Sequence, residues 1–207
     1  MNAITGENMS VADEEAFFKI IIVGDGAVGK TSICNHITTK EFFSDYRLTV
    51  GCDFFIKKFY VNNVSVTLQM FDVGGQDHFA RMRSAFAGGA KGIFLAFDIT
   101  RRDSLFNLVD WLESVKDELD PRAPKVLVAT KSDLNKEAEI WKDDIDGFKE
   151  KLKVDAYFDT SSYTGDGVKE AFEAMALLLI SKYDEVEYTR SAQKMKFLEG
   201  FYPGFKA

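Results

Sequence analysis

Cysteine, basic runs and long apolar runs are all scarce in this sequence, and each scarcity excludes a class of protein. The chain has 207 residues but only two cysteines, Cys34 and Cys52, so a disulfide framework is excluded beyond one bond. Neither cysteine has the Cys/His spacing of a zinc site, and we expect a reduced cytosolic compartment. The apolar runs reach only the length of a strand, which predicts that no helix spans a membrane.

The charge pattern excludes further classes of partner. The formal net charge is −7, so electrostatics give no reason to expect DNA or RNA. Residues 190–207 carry scattered lysines rather than a polybasic run, and they contain no cysteine. We therefore expect neither an electrostatic membrane anchor nor C-terminal prenylation. The acidic N-terminal residues do not have the pattern of a signal peptide.

The length and the ordinary apolar content are those of a single domain with a buried core. Residues 1–15 are polar and unpatterned, and they are interpreted as a mobile extension. The domain is predicted to span residues 16–184. Residues 185–207 are interpreted as a tail in which helix continues towards Phe197.

Strand and helix patterns alternate along the domain. Apolar and β-branched runs predict strands at 17–23, 53–60, 64–71, 92–98, 125–130 and 154–159. Helical spacing predicts helices at 30–39, 104–119, 140–152 and 168–183. Asn62 and Asn63 tolerate positive φ, which makes the second and third strands a hairpin. The alternation predicts an α/β fold: a six-stranded, mostly parallel sheet with one antiparallel edge strand and helices on both faces.

A glycine-rich turn follows the first predicted strand. Residues 24–31, Gly-Asp-Gly-Ala-Val-Gly-Lys-Thr, match the pattern G-x-x-x-x-G-K-T between a strand and a helix. Backbone N–H groups in such a loop surround phosphate, and Gly26 and Gly29 let the backbone approach it closely. Lys30 is expected to reach the β- and γ-phosphates, and the Thr31 hydroxyl to bind Mg²⁺. Kinases and ATPases use the same loop, so the nucleotide and the reaction depend on other residues.

Two more strand ends carry residues suited to nucleotide chemistry. Asp72 follows the third strand, where a carboxylate can hold Mg²⁺ through water, and Gly75 can offer its N–H to a γ-phosphate. Gln76 can orient the attacking water. After the fifth strand, the Asp133 carboxylate can accept hydrogen bonds from guanine N1–H and N2, which adenine lacks in that geometry. The stem of Lys131 can cover one face of the base.

These motifs, in this order, resemble those of the Ras superfamily of small GTPases over residues 18–183. Three segments are most similar to the Rab branch: Thr-Val-Gly-Cys-Asp-Phe at 49–54, Gly-Gln-Asp-His-Phe at 75–79 and Gly-Ala-Lys-Gly-Ile at 89–93. The resemblance implies a P-loop NTPase fold of the Ras type. It also implies that Thr49 binds Mg²⁺, that Phe42 stacks on guanine and that Tyr46 covers the phosphates.

The resemblance extends to the last base loop and to a surface for partners. It implies that backbone N–H groups at 160–162 approach the guanine oxygen, and that Phe54, Phe71 and Phe86 present the nucleotide state to effectors. For Phe71, simple core packing is an equally good interpretation. The full set of predicted nucleotide contacts is Asp25, Gly26, Ala27, Val28, Gly29, Lys30, Thr31, Ser32, Phe42, Tyr46, Thr49, Gly75, Thr130, Lys131, Asp133, Ser161 and Ser162.

Four features depart from the family pattern: three substituted positions and the C-terminal residues. Thr130 stands where the base motif usually has Asn, which braces the phosphate loop and reaches the base, so weaker guanine affinity is expected. Gly74 replaces a common alanine, and Ser162 replaces the alanine of the last loop. The lipidated C-terminal cysteines of Ras and Rab proteins have no counterpart, which weighs against a membrane-trafficking role.

The resulting hypothesis is a monomeric, cytoplasmic GTP/GDP-binding switch that requires Mg²⁺ and hydrolyses GTP slowly. Lys30 and Gln76 are the predicted catalytic residues. The expected partners are effectors, an exchange factor and a GTPase-activating protein, with membrane association only through a partner. Two alternatives stay open: a GTP-binding scaffold that scarcely hydrolyses, and an ATP-dependent phosphotransferase that uses the same loop.

Overall fold

A six-stranded sheet forms the centre of the computed structural model, which describes residues 15–41, 49, 51–62, 64–75 and 80–183. Phe42, Tyr46 and Gln76, and the extensions at 1–14 and 184–207, lie outside the described residues. The strands are β1 (Glu15–Val23), β2 (Cys52–Val61), β3 (Val64–Val73), β4 (Gly92–Asp98), β5 (Lys125–Thr130) and β6 (Ala156–Asp159). Their order across the sheet is β2-β3-β1-β4-β5-β6.

The strand directions confirm the predicted mixed sheet. Edge strand β2 is antiparallel to β3, and every other neighbouring pair is parallel. Asn62 has a φ of 51°, which provides the left-handed residue of the β2–β3 turn. All seven residues of β4 are buried, because a central parallel strand is covered on both faces.

Six helices surround the sheet in the described part of the chain: α1 (Lys30–Thr39), α2 (Ala80–Ala87), α3 (Arg102–Phe106), α4 (Leu108–Glu113), α5 (Lys142–Leu152) and α6 (Val168–Tyr183). The helices predicted at 30–39 and 168–183 have the expected bounds. The single helix predicted at 104–119 is wrong: α3 and α4 are separate, and a short 3-10 turn follows at Lys116–Glu118. Val115, with φ of −131° and ψ of −10°, ends the α-helical geometry between α4 and that turn.

The other differences are at element ends and in one missing prediction. Helix α5 begins two residues later than predicted, because Ile140 is buried and the Trp141 N–H is capped by the Asp144 carboxylate. Strand β6 begins at Ala156 rather than at 154. Helix α2 was not predicted, and Arg83, Ser84 and Phe86 in its sequence give it little apolar periodicity.

Apolar side chains fill both faces of the sheet. On one face, α1 and α6 cover Ile20, Ile22 and Phe94, and the Phe94 and Phe172 rings lie 4.8 Å apart. On the other face, α2 to α5 cover a second cluster around Leu95 and Phe97. The predicted helices on both faces are therefore confirmed. No helix among the described residues is long and apolar enough to cross a membrane.

Five parallel strands bring their carboxyl ends to one edge of the sheet. β1 leads into the glycine-rich turn, β3 into Gly74, and β4, β5 and β6 into the loops that begin after Asp98, Thr130 and Asp159. Such an edge is where α/β sheets bind ligands, so the predicted site residues belong to one region of the molecule.

Candidate functional site

The glycine-rich turn has the backbone geometry of an anion-binding loop. Ala27 and Gly29 have φ values of 65° and 97°, and Gly29 is the residue immediately before α1. At Gly24 a Cβ would lie 2.1 Å from the Ala96 carbonyl oxygen, so only glycine fits against β4. The loop therefore curls directly onto the N-terminus of α1, whose N–H groups favour negative charge.

Lys30 is held against this loop by its own ammonium group. Its Nζ donates to the carbonyl oxygens of Gly24 at 2.7 Å and Asp25 at 2.8 Å, and only 5% of the residue is exposed. Burial lowers the pKa of Lys30, and the carboxylates of Asp72 and Asp25 oppose that shift. The cation is thus placed at the phosphate loop with little freedom to leave it.

Oxygen atoms from three segments converge beside Lys30. The Thr31 hydroxyl donates to the Asp72 carboxylate, and the Thr49 Oγ1 lies 2.9 Å from the Thr31 Oγ1. Asp72 is fully buried, and its Oδ1 has no hydrogen-bond partner among the described residues. Burial raises the pKa of the Asp72 carboxyl to about 6, against the lowering effect of Lys30 and Thr31. Two hydroxyls and an unpartnered carboxylate oxygen are ligands that suit Mg²⁺.

Gly74 and Gly75 lie between the Thr49 segment and the phosphate loop. The Gly74 N–H donates to the Gly51 carbonyl at 2.9 Å, and a Cβ on Gly74 would lie 2.7 Å from the Thr49 carbonyl oxygen. A Cβ on Gly75 would lie 2.2 Å from the Gly26 nitrogen. These contacts give a physical reason for glycine where the family commonly has alanine: a methyl group at residue 74 would push the Thr49 segment away.

The two predicted base segments are neighbours in space. The Ser161 Oγ donates to the Asp133 Oδ1 at 2.5 Å, and the Ser132 N–H donates to the Thr160 carbonyl at 3.0 Å. The Ser161 N–H is already bonded to the Asp166 carbonyl at 2.9 Å. The Ser162 N–H has no backbone acceptor among the described residues, so it is the backbone donor that remains for a base oxygen in this loop.

Thr130 braces the phosphate loop although it is not asparagine. Its buried hydroxyl donates to the Val28 carbonyl, and the Phe97 carbonyl oxygen lies 2.9 Å from the same Oγ1. The side chain also contacts the position of a Cβ on Gly29, at 3.7 Å. The loop-bracing part of the asparagine's role is therefore present. Thr130 has no amide group to extend towards a base.

The structure adds residues that the sequence reasoning missed. Asp98 ends β4, and its Oδ2 is 2.5 Å from the Lys131 Nζ. The Arg101 Nη2 donates to the Gly26 carbonyl at 2.9 Å. Asp98 could have been predicted from the sequence, because it is a charged residue at the carboxyl end of a buried parallel strand, where such sheets bind ligands. No sequence spacing pairs Arg101 with Gly26, which lies 75 residues away.

A second missed group holds the start of the phosphate loop. The Trp111 Nε1 and the Asn107 Nδ2 donate to the two Asp25 oxygens, at 2.7 Å and 2.9 Å. The Arg83 guanidinium stacks 4.4 Å from the Trp111 ring centroid. These residues, with Gly26, line a cleft of about 570 Å³. Asp25, a predicted nucleotide contact, thus has its side chain committed to α4 and the turn before it.

The three predicted effector aromatics form a continuous group. The Phe54 and Phe71 rings lie 5.0 Å apart and those of Phe71 and Phe86 lie 6.5 Å apart. Phe54 is 51% exposed, whereas Phe71 and Phe86 are only partly buried. Phe71 also borders the core cluster on its face of the sheet, so packing and surface roles coexist at that residue.

The fold and the loop together define a P-loop nucleotide-binding protein. Residues 19–181 match the sequence profile of the Ras family. Ras-related protein Rab-11C of Dictyostelium discoideum is 32% identical over 163 residues, 79% of this chain and 72% of that protein. Ras-related protein RABA6a of Arabidopsis thaliana is 32% identical over 179 residues, 86% of this chain and 75% of that protein. EF-hand calcium-binding domain-containing protein 4B of Homo sapiens is 31% identical over 187 residues, 89% of this chain and 25% of that protein.

The chain therefore belongs to the Ras family, and its Rab-named relatives indicate the Rab branch. It is a small GTPase switch of the kind that acts in trafficking or signalling. Proteins of this family bind GTP and GDP, typically with Mg²⁺.

Proposed function

We propose that this chain binds GTP and GDP with Mg²⁺, hydrolyses GTP slowly, and signals through the segments that contact the γ-phosphate. The observation that carries the proposal is the convergence of Thr31, Thr49 and Asp72. Thr49 is 18 residues from Thr31 in sequence and Asp72 is 41 residues away, yet their oxygens meet beside the phosphate loop. A structural hydrogen-bond cluster alone gives no reason to leave a buried Asp72 oxygen without a partner.

Mg²⁺ would be held by the Thr31 and Thr49 hydroxyls, and by Asp72 through water. When bound, this ion neutralises charge on the β- and γ-phosphates. No group of three or more His, Cys, Asp or Glu side chains in the described ranges offers a competing metal site. The loop N–H groups and Lys30 bind the phosphates, and the burial of Lys30 keeps its charge close to them.

Gln76 is proposed to orient the water that attacks the γ-phosphate, and Lys30 to stabilise charge on the transferring group. The arginine that accelerates such reactions is proposed to come from an activating protein. Without it, hydrolysis should be slow, on the order of 10⁻⁴–10⁻² s⁻¹. Tyr46 and Gly75 complete the proposed phosphate contacts.

Guanine is proposed to bind between Asp133, the Ser162 N–H and the aliphatic stem of Lys131, with Phe42 against its other face. The hydrogen bond from Ser161 holds the Asp133 carboxylate in place, at 2.5 Å. A held carboxylate facing a backbone donor complements guanine, which presents two donors and one carbonyl. It does not complement adenine.

Competition between GDP and ADP for the Mg²⁺-loaded protein tests the base assignment. We expect GDP to displace a fluorescent GDP analogue and ADP to fail at the same concentration. Asp133→Ala should remove the preference, because the carboxylate is the group that reads guanine. Equal affinity for GDP and ADP in the wild type would refute the assignment of guanine as the base.

Single-turnover hydrolysis of bound GTP tests the chemistry. We expect Gln76→Leu to slow the reaction by about tenfold or more, since the attacking water loses its orienting group. A wild type that binds GTP but shows no turnover over many hours would favour the scaffold alternative. An unchanged rate in Gln76→Leu would refute the role given to Gln76.

Effectors are proposed to recognise Phe54, Phe71 and Phe86 in the GTP-bound state, and an exchange factor and an activating protein to reset the switch. We propose a monomer that is cytoplasmic and reaches membranes only through a partner. The proposed functional domain is residues 16–184, with 1–15 and 185–207 as extensions. A GTP-dependent pull-down with Gln76→Leu against Thr31→Asn protein would identify the partners.

A further inference from the structure

Asp98 is a buried carboxylate whose Oδ1 accepts two hydrogen bonds, and whose Oδ2 faces two cations without a hydrogen bond of normal geometry to any described residue. It is the last residue of β4 and has no exposed surface. Its Oδ1 accepts from the Thr100 N–H at 2.9 Å and the Thr100 hydroxyl at 2.7 Å. Its Oδ2 lies 2.5 Å from the Lys131 Nζ and 3.8 Å from the Arg101 Nε. Burial of a charge is costly unless it is paired, so these contacts define where both cations sit.

The two cations lead from Asp98 to opposite parts of the site. Lys131 directly precedes the 3-10 helix Ser132–Glu137 that carries Asp133, and it has a left-handed backbone with φ of 61°. The Arg101 guanidinium continues to the phosphate loop, where its Nη2 donates to the Gly26 carbonyl at 2.9 Å. One carboxylate therefore connects the base loop with the phosphate loop.

We propose that Asp98 and Arg101 are positioning residues that couple guanine recognition to phosphate binding, and this inference rests on the proposed function above. Neither residue is assigned a contact with nucleotide. Arg101 supports the phosphate loop through the Gly26 carbonyl, and Asp98 lies within ion-pairing distance of both Arg101 and Lys131.

The peptide between Gly26 and Ala27 carries the effect of Arg101 to the phosphates. Its carbonyl accepts from the guanidinium, while its N–H is one of the loop donors that surround phosphate in this motif. A cation on the carbonyl polarises the peptide and strengthens the N–H as a donor. Thr130 holds the same loop two residues later, at Val28, so Arg101 and Thr130 support two further carbonyls beside the two that Lys30 holds.

Dissociation of a fluorescent GDP analogue in Mg²⁺ tests the proposal. Arg101→Gln and Asp98→Asn should each release the analogue about tenfold faster, the size expected when a hydrogen bond to a charged group is lost. The matched control is Arg102→Gln. Arg102 is the next residue, the first of α3, and carries the same charge, but it pairs with Asp144 at 2.9 Å, away from the site. We expect this variant to stay within twofold of the wild type.

The ratio of GDP to IDP affinity separates coupling from simple destabilisation. IDP lacks the 2-amino group from which the Asp133 carboxylate is proposed to accept a hydrogen bond. Asp98→Asn should lower this ratio about threefold or more, because Lys131 and its loop lose their anchor. Arg101→Gln should weaken both nucleotides equally and leave the ratio unchanged, and Arg101→Lys should restore part of the slow release.

The outcomes distinguish this inference from the proposed function. If the wild type fails to hold the GDP analogue, the proposed function fails. If the wild type holds it and Asp98→Asn and Arg101→Gln release it at the rate of Arg102→Gln, the inference alone is overturned. A lower unfolding temperature in Asp98→Asn with an unchanged GDP to IDP ratio also overturns the coupling. If Asp98→Asn does not fold, Arg101→Gln tests whether this pair of residues supports phosphate binding. The Arg101 side chain is 42% exposed, so its replacement is tolerated more easily than that of buried Asp98.

Discussion

At the scale of single residues, Thr130 joins β5 to the phosphate loop through one hydroxyl. Its Oγ1 donates to the Val28 carbonyl and lies 2.9 Å from the Phe97 carbonyl oxygen. Thr130→Val keeps the shape but removes the donor, so we expect a loss of about 1–2 kcal/mol in the free energy of unfolding. GDP release should also become faster. Urea denaturation and GDP dissociation measure both effects.

Thr130→Ser is the control for this prediction, since it keeps the hydroxyl and loses only a methyl group. It should release GDP at nearly the wild-type rate. A Thr130→Val protein with wild-type stability and wild-type GDP release would contradict the bracing role.

A substitution at Gly74 tests the contact between the two segments that are proposed to bind the γ-phosphate. In Gly74→Ala the new methyl carbon would lie 2.7 Å from the Thr49 carbonyl oxygen, which is backbone and must shift. The Thr49 hydroxyl should then move from its position 2.9 Å from the Thr31 Oγ1. We expect weaker Mg²⁺-dependent binding of GTP and little change in unfolding free energy. Titration of GTP affinity against Mg²⁺ concentration, with Gly147→Ala as the control, checks this.

Individual residues were predictable where one local motif specifies their chemistry. The pattern at 24–31 is enough to predict the roles of Lys30 and Thr31, and the place of Asp133 after a buried strand predicts its contact with the base; these roles stay predictions. Asp98 and Arg101 were not predicted, because their partners Lys131 and Gly26 are reached only through the strand order. Gln76, Phe42 and Tyr46 rest on the sequence and on family resemblance alone.

At the scale of elements, alanine substitutions at two glycines are expected to change the free energy of unfolding in opposite directions. Gly147 lies inside α5, where an added Cβ has nothing within 4 Å. Gly147→Ala should therefore stabilise the protein by about 0.5–1 kcal/mol through helix propensity. Gly165 has φ of 90°, and its Cβ would meet the His36 Nε2 at 2.8 Å. Gly165→Ala should destabilise by about 1–2 kcal/mol. Chemical denaturation of both variants decides, and equal effects would contradict these backbone assignments.

Helices and strands were predictable to the degree that their apolar spacing was regular. β4 and α6 have the bounds expected from their residues. The pattern at 104–119 predicts one helix because the apolar spacing continues past the end of α4. The chain leaves α-helical geometry there because Val115 adopts a non-helical backbone, and spacing alone does not report backbone geometry.

At the scale of the whole molecule, nucleotide binding should appear as stabilisation of the folded state. GDP with Mg²⁺ at one hundred times its dissociation constant contributes about 2.7 kcal/mol. For a domain of this size that is a rise of about 5–10 °C in unfolding temperature. ADP at the same concentration should give no rise, and EDTA should reduce the rise with GDP. Differential scanning fluorimetry measures all three, and equal rises with ADP would contradict guanine selectivity.

The tertiary structure also gathers charges that no sequence run contains. Arg122, Lys125, Lys153 and Lys182 line a depression of about 280 Å³ with Asp155, at the first residue of β5. The sequence contains no basic run at these residues, and the cations come from three separate segments. This cluster of cations, in which Lys182 pairs with Asp155 at 2.6 Å and Arg122 with Asp120 at 3.5 Å, is therefore absent from the sequence pattern but present in the fold.

The sequence by itself determined most of the elements and the predicted chemistry of the motifs, because apolar periodicity and the phosphate loop depend on residues close together along the chain. The tertiary structure alone decided the contacts between motifs: Thr49 with Thr31, Gly74 against the Thr49 segment, and Asp98 between Lys131 and Arg101. These contacts join residues from different strand ends. Their distances depend on strand order and register, which are set by packing of the whole core rather than by any local run of residues.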